Sequence, residues 1–176
     1  DRAFVACSGF GLAILDIANP AQPHLVAEFD PGHHALRVTV AGPLAYVSLR
    51  DFVGTGHWVE IIDISDPLQA ATVGRVPLPD LAEEVAVAGG RAYVANDERG
   101  LRVLDVGDPT QPTTLGTLDT PGRARGLTVT AGRALVADDH RGLQVLDVTH
   151  PTSPQPVGGV NTPFSTNDVA VRGDHA

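Results

Sequence analysis

The sequence predicts an all-β fold: a β-propeller of four-stranded antiparallel blades, with a circularly permuted first and last blade. Three observations predict it. One phrase recurs four times, as AILDIANPAQP (13–23), EIIDISDPLQA (60–70), RVLDVGDPTQP (102–112) and QVLDVTHPTSP (144–154), so that Asp16, Asp63, Asp105 and Asp147 lie 47, 42 and 42 residues apart. A second phrase keeps the same beat: Phe4-Val5-Ala6, Tyr46-Val47-Ser48, Tyr93-Val94-Ala95 and Leu135-Val136-Ala137. No segment carries helical periodicity over three turns. A fixed period in this range means a repeat architecture, in which no unit buries its core alone.

The repeats run 1–42, 43–89, 90–131 and 132–176, as one repeat domain or a segment of one. The third unit shows the elements in order: EEVAVA (83–88), RAYVAN (91–96), GLRVLDV (100–106) and TTLGTL (113–118). Each run is rich in Val, Leu, Thr or Tyr and is bounded by Gly, Pro, Asn or Asp, as short strands are. Gly89-Gly90 and Ala131-Gly132 are tight hairpins between the first and second strands. The Asp-x-x-Asp-Pro stretch turns the third strand into the fourth, because Pro presets φ and Asp accepts local backbone N–H bonds. Strand three is apolar on both faces, with Leu101 and Val103 on one and Leu104 and Val106 on the other. Such a strand belongs to a sheet packed between sheets, and four-stranded units of this period fit propeller blades.

The RVLDVGDPTQP element, followed by LGTLDTPGRARGLTVTAGRALVAD, resembles the LVIVD-repeat family. The resemblance covers essentially the whole chain and is best in the third and fourth units. The second unit departs from it, with Ala70 in place of the later proline and five extra residues within LRDFVGTGHW (49–58). The family implies propeller-type repeats of bacterial and archaeal proteins, many on the cell surface or secreted. It brings no catalytic residues to carry over.

The ends fall on the same beat. Asp174-His175-Ala176 corresponds to Asp1-Arg2-Ala3, and NDVAV (167–171) is expected as a lone first strand that completes the first blade. Three arrangements follow: a closed four-bladed monomer, an eight-bladed ring of two chains, or a piece of a longer chain or polymer whose open edges pair with neighbours. The third is favoured, because bare edge strands invite pairing and because the sequence begins without Met and contains none. A net charge of −9 excludes a nucleic-acid footprint. No apolar run is long enough for a transmembrane helix, so no membrane insertion is expected. Expected partners are proteins, or further copies of the chain through edge strands.

The four repeated aspartates could form a ring of metal-binding or acid–base carboxylates. Their recurrence in every unit favours strand-end carboxylates that accept N–H bonds from the following turn. The loops leading into each first strand keep a proline (Pro31, Pro79, Pro121, Pro163) and diverge beyond it. There His33 and His34, with Glu83, Glu84 and Asp168, could gather near the axis and hold Zn, Cu or Ni, against Arg123 and Arg125 at the same rim. Asn96-Asp97-Glu98 and Asp138-Asp139-His140 offer oxygen ligands for Ca²⁺, although Arg99 and Arg141 follow them. The competing reading for both groups is solvated loop residues, and no cofactor is expected. In the insertion, Phe52, His57 and Trp58 read as exposed groups on a projecting loop, suited to partner contact. Cys7, the sole cysteine, reads as a buried strand thiol. Arg172-Gly173-Asp174 spells an integrin-type tripeptide, read as coincidence.

No catalytic motif stands in the chain. The expected function is therefore a non-catalytic extracellular or cell-surface propeller, a structural or interaction module able to self-assemble. The alternative is a ligand- or metal-binding propeller domain of a larger enzyme or sensor.

Overall fold

The computed structural model describes residues 1–173 and 175–176. It is all-β apart from one 3-10 turn at Pro67–Gln69. The first sheet has three strands, β1 (Arg2–Ala6), β2 (Leu12–Asp16) and β3 (His24–Phe29). The second comprises β4 (His34–Ala41), β5 (Leu44–Arg50), β6 (His57–Asp63) and β7 (Ala71–Leu78). The third comprises β8 (Glu84–Ala88), β9 (Arg91–Ala95), β10 (Leu101–Asp105) and β11 (Thr113–Leu118). The fourth comprises β12 (Gly126–Thr130), β13 (Arg133–Ala137), β14 (Leu143–Asp147) and β15 (Gln155–Val160). All pairings are antiparallel between sequence neighbours, and β4, β8 and β12 follow one another side by side.

The two-faced third strand explains the stacking. Leu101 and Val103 enter a core with Leu127, Val136 and Leu146 of the next sheet. Leu104 and Val106 enter another with Val59, Ile61 and Val76 of the previous one. Leu12 and Ile14 do the same against Val47, Leu49 and Ile62. Each such side chain contributes about 1.5–3 kcal/mol by leaving water. The ladder between third and fourth strands shifts register once in every sheet, at Ile14/Leu15, Ile61/Ile62, Val103/Leu104 and Val145/Leu146. A bulge there adds twist to each sheet at the same place.

Successive sheets also meet at their outer strands. A Cβ on Gly74 would lie 2.0 Å from the Pro109 carbonyl oxygen and 3.1 Å from Pro112 Cδ. A Cβ on Gly116 would meet Pro151 O at 2.3 Å and Pro154 Cδ at 3.1 Å. Only a glycine lets the next sheet's Pro-x-x-Pro turn approach so closely. Between the first and second sheets this position is Ala27, and the facing turn carries Ala70 in place of its second proline. Ala27 and Ala70 both pack on that core.

One expectation is corrected. Residues 167–171 form no strand, and β1 pairs with β2 alone among the described residues. The segment is held at its start by a single bridge, Thr166 to Asp139. A first strand with no second strand beside it has no ladder to join, so the sheets do not close on themselves.

The Ala27–Ala70 pairing predicts a rescue. Gly74→Ala alone should destabilise by about 1–3 kcal/mol through overpacking. In Gly74→Ala/Pro112→Ala the freed turn can withdraw, and the loss should fall short of additivity by at least about 0.5 kcal/mol in a urea-denaturation cycle.

Candidate functional site

The loops after each second strand and before each first strand share one rim. After β1, β9 and β13 the chain makes the same turn: Cys7 N–H donates to Gly11 O (2.7 Å), Asn96 N–H to Gly100 O (2.8 Å) and Asp138 N–H to Gly142 O (2.7 Å). Ser8, Asp97 and Asp139, at the same place in each turn, take positive φ of 48°, 42° and 50°. From there they bridge to the chain that follows their own sheet: Ser8 to Ala35 in β4, Asp97 to Ala124 just before β12, and Asp139 to Thr166 beyond β15. The second unit has no such bridge among the described residues. Its place is taken by the longer β5 and the insertion, and Ser48 Oγ donates instead to Ala82 O (2.5 Å).

The loops leading into the third and fourth sheets are also tied from inside their own sheets. Asn96 Nδ2 donates to the carbonyls of Asp80 (2.6 Å) and Leu81 (3.0 Å). At the equivalent place Asp138 accepts from Thr120 Oγ1 (2.5 Å) and Gly122 N–H (2.9 Å). Burial raises the Asp138 carboxyl above its ordinary range, with the Thr120 and Gly122 bonds opposing. One position serves as donor in one sheet and acceptor in the next, and both side chains are buried.

Over the first and second sheets the rim carries aromatic and imidazole rings. His34 Nδ1 lies 3.1 Å from Ser8 Oγ, and its ring meets Phe52 edge-on at 4.8 Å. His33 packs at 4.5 Å against Trp58 and at 6.1 Å from Phe52. Phe52 is 66% exposed, and Phe10, which holds the corresponding place in the first unit's turn, is 82% exposed. Arg99 and Arg141 hold that place in the third and fourth units. Phe10 escapes the sequence reading, although its 42-residue offset from Phe52 would have found it.

Trp58 requires a correction. It lies in β6 and is only 9% exposed, not on a projecting loop. Its Nε1 donates to the buried Glu60 carboxylate (3.3 Å), which also accepts from Thr72 and from Arg75 Nη2 (2.6 Å). Arg75 stacks over the indole at 4.9 Å. The part of the insertion that projects comes earlier in the chain, at residues 51–56, closed by Asp51 accepting from Thr55 N–H (2.9 Å) and Gly56 N–H (2.9 Å). His57 is half-buried in β6.

The metal candidates are not gathered. Glu83 pairs with Arg125 (2.7 Å), Asp97 lies 3.8 Å from Arg123, and Asp139 lies 3.8 Å from His140. Glu84 sits on β8, where burial raises its carboxyl, Arg37 attracts it and Asp168 repels it. His33 and His34 turn toward the rings over sheets one and two. Among the described residues no three His, Cys, Asp or Glu side chains stand close enough to hold an ion. The repeats set these residues on different units, and Glu83 and Asp97 meet arginines instead. Cys7 lies just past β1 and is half-buried, rather than buried within a strand. The Arg172-Gly173-Asp174 tripeptide ends on Asp174, outside the described residues.

The four repeated aspartates cap turns. Asp16, Asp63, Asp105 and Asp147 accept N–H bonds from Ala18 (2.7 Å), Ser65 (2.8 Å), Gly107 (3.0 Å) and Thr149 (2.8 Å). Those bonds hold Asp16 and Asp63 below the usual carboxylate range, and the Thr149 hydroxyl does so for Asp147.

The LVIVD repeat matches residues 1–30, 81–120 and 121–162. The chain belongs to the LVIVD-repeat family. The stretch 31–80, outside the match, holds most of the second LVIVD unit with its insertion and Ala70. No curated protein matches the sequence. Among solved structures, the LVIVD chain is similar to a functionally unknown protein from Desulfotomaculum acetoxidans, with a TM-score of 0.79 at 15% identity. The match covers 99% of this chain and 60% of that one, a likeness of fold.

Two outcomes follow for the LVIVD rim. Trp58→Ala should cost about 3–5 kcal/mol as a core truncation, whereas Phe52→Ala should stay within about 0.5 kcal/mol, both by chemical denaturation. Asp138, with a raised carboxyl in the fold, favours the folded state increasingly as pH falls through that raised value toward its unfolded value. Asp138→Asn removes this gain. The stability of the variant relative to the parent should therefore decline on acidification through that window, read by urea denaturation at a series of pH values.

Proposed function

We propose that this chain is a non-catalytic propeller-type interaction module that self-associates through its terminal sheets. One observation carries the reading: apolar residues on the first and fourth sheets stand exposed at positions that are buried in the joints between the inner sheets. Val5 and Ile17 on the first sheet are exposed, as are Val157 and Val160 on the fourth. β1 also presents an unpaired edge, and free edges and uncovered apolar faces drive association. The stacking of four sheets in chain order, with β4, β8 and β12 adjacent, supports blades set around an axis. The family resemblance supports an extracellular or cell-surface setting.

The rim of Phe10 and Phe52 is a second contact surface in this reading, presented on turns between strands and suited to an aromatic-anchored protein contact. Sedimentation equilibrium of the purified chain, with electron microscopy of the particles, tests the proposal. Mass should rise with protein concentration. A constant monomer mass throughout would overturn it.

A further inference from the structure

The residues that the second unit adds lengthen its sheet as well as its turn. The β5–β6 ladder has seven residue pairs, whereas β9–β10 and β13–β14 have five each. Aligned on Tyr46–Ile61, Tyr93–Val103 and Leu135–Val145, the two added pairs are Leu49–Trp58 and Arg50–His57, both at the rim. Leu49 and Trp58 are buried in the core toward the first sheet. Arg50–His57 is the last pair, and His34 of β4 lies opposite Arg50 on its other side. Directly opposed residues hold their Cβ atoms about 4.5–5.5 Å apart, so an arginine stands between two imidazoles. Sheets pack on both sides of this one, and it has all four of its strands.

The row is rich in unspent donors. Arg50 is exposed and forms no ion pair among the described residues, and a guanidinium carries donors only. His57 Nδ1 is buried without a hydrogen-bond partner. The carboxylates nearby in sequence are spent inside the fold. Asp51 is bound to Thr55 and Gly56, Asp30 to Gly32 N–H (2.8 Å), and Glu60 to Trp58, Thr72 and Arg75. Beside the row stands an apolar tip, with Phe52 66% and Val53 83% exposed. The His33 and His34 rings support Phe52 at 6.1 and 4.8 Å. The Asp51 bonds fix the tip, so little loop ordering is lost on contact.

We propose that the His34–Arg50–His57 row and the Phe52–Val53 tip dock an acidic peptide segment of a partner protein. A carboxylate of the segment binds Arg50, and an apolar side chain packs beside Phe52. The occupant is acidic because donors are the surplus on this surface, and an arginine flanked by imidazoles matches the acceptor-only oxygens of a carboxylate. The net charge of −9 disfavours such a segment elsewhere on the chain. This rests on the reading of the rim as a contact surface and is independent of association between copies.

The test is fluorescence anisotropy of a dye-labelled, acetylated Glu-Glu-Phe-Glu-Glu peptide titrated with the full chain. The peptide should bind saturably. Arg50→Gln and Phe52→Ser should each weaken binding at least about tenfold, as truncation of an arginine or aromatic anchor does. Replacing every glutamate of the peptide by glutamine should do the same. Arg133→Gln removes an exposed arginine at the end of β13 away from the rim and should leave the Kd unchanged. Circular dichroism checks that the variants fold as the parent does. Equal binding of the glutamine peptide would overturn the acidic occupant and leave an apolar contact at the rim. Losses of equal size in Arg133→Gln and Arg50→Gln would overturn the site, as would the absence of saturable binding by the acidic peptide. Self-association, read by sedimentation, stands or falls separately from each of these results.

Discussion

Burial of both faces of the third strand is the constraint on which the rest of the structure depends. A sheet with one apolar face can rest against a single layer. A strand such as Leu101–Asp105, apolar toward both neighbours, cannot be satisfied by one. It requires a sheet before it and a sheet after it, and that requirement passes along the chain. Hydrophobic burial has no direction of its own, so the orientation of each joint comes from smaller devices. These are the bulge repeated in each unit's fourth strand, the glycine that admits a proline turn, and the left-handed residue that bridges to the next unit.

The repeated aspartates belong with those devices. Each accepts from the backbone two residues on, which fixes the exit of the third strand and the approach of the proline turn to the neighbouring sheet. Asn96 and Asp138 show that the device is defined by geometry rather than by charge: an amide donates to two carbonyls, a carboxylate accepts from a hydroxyl and an N–H, and both tie down a leading loop.

The period, the four strands of a unit and the two-faced third strand were legible because each rests on short-range patterns that recur. The boundaries expected for the third unit agree with β8 to β11 to within a residue or so. The rim was less legible. Trp58 reads as loop in the sequence because the insertion hides where β6 resumes, and its indole is drawn inward by Glu60 and Arg75, whose pairing across strands leaves no local mark. The histidine–carboxylate cluster failed for a related reason. Sequence proximity to one rim does not fix which unit's arginine reaches a carboxylate first. Residues 167–171 have the composition of a strand, but a strand exists only with a partner.

The joint between the second and third sheets departs from the others in a way that concerns adaptation rather than stability. At the other joints the loops are stitched by main-chain bonds, which every residue but proline can supply and which substitution cannot readily remove. At this joint the links are hydroxyls, Ser48 Oγ to Ala82 O and Thr39 Oγ1 to Val85 O (2.7 Å). Single-nucleotide changes can delete or restore such links one at a time. This joint is therefore the one whose hydrogen-bonded links a single substitution at Ser48 or Thr39 can remove, in the unit that also carries the longer loop.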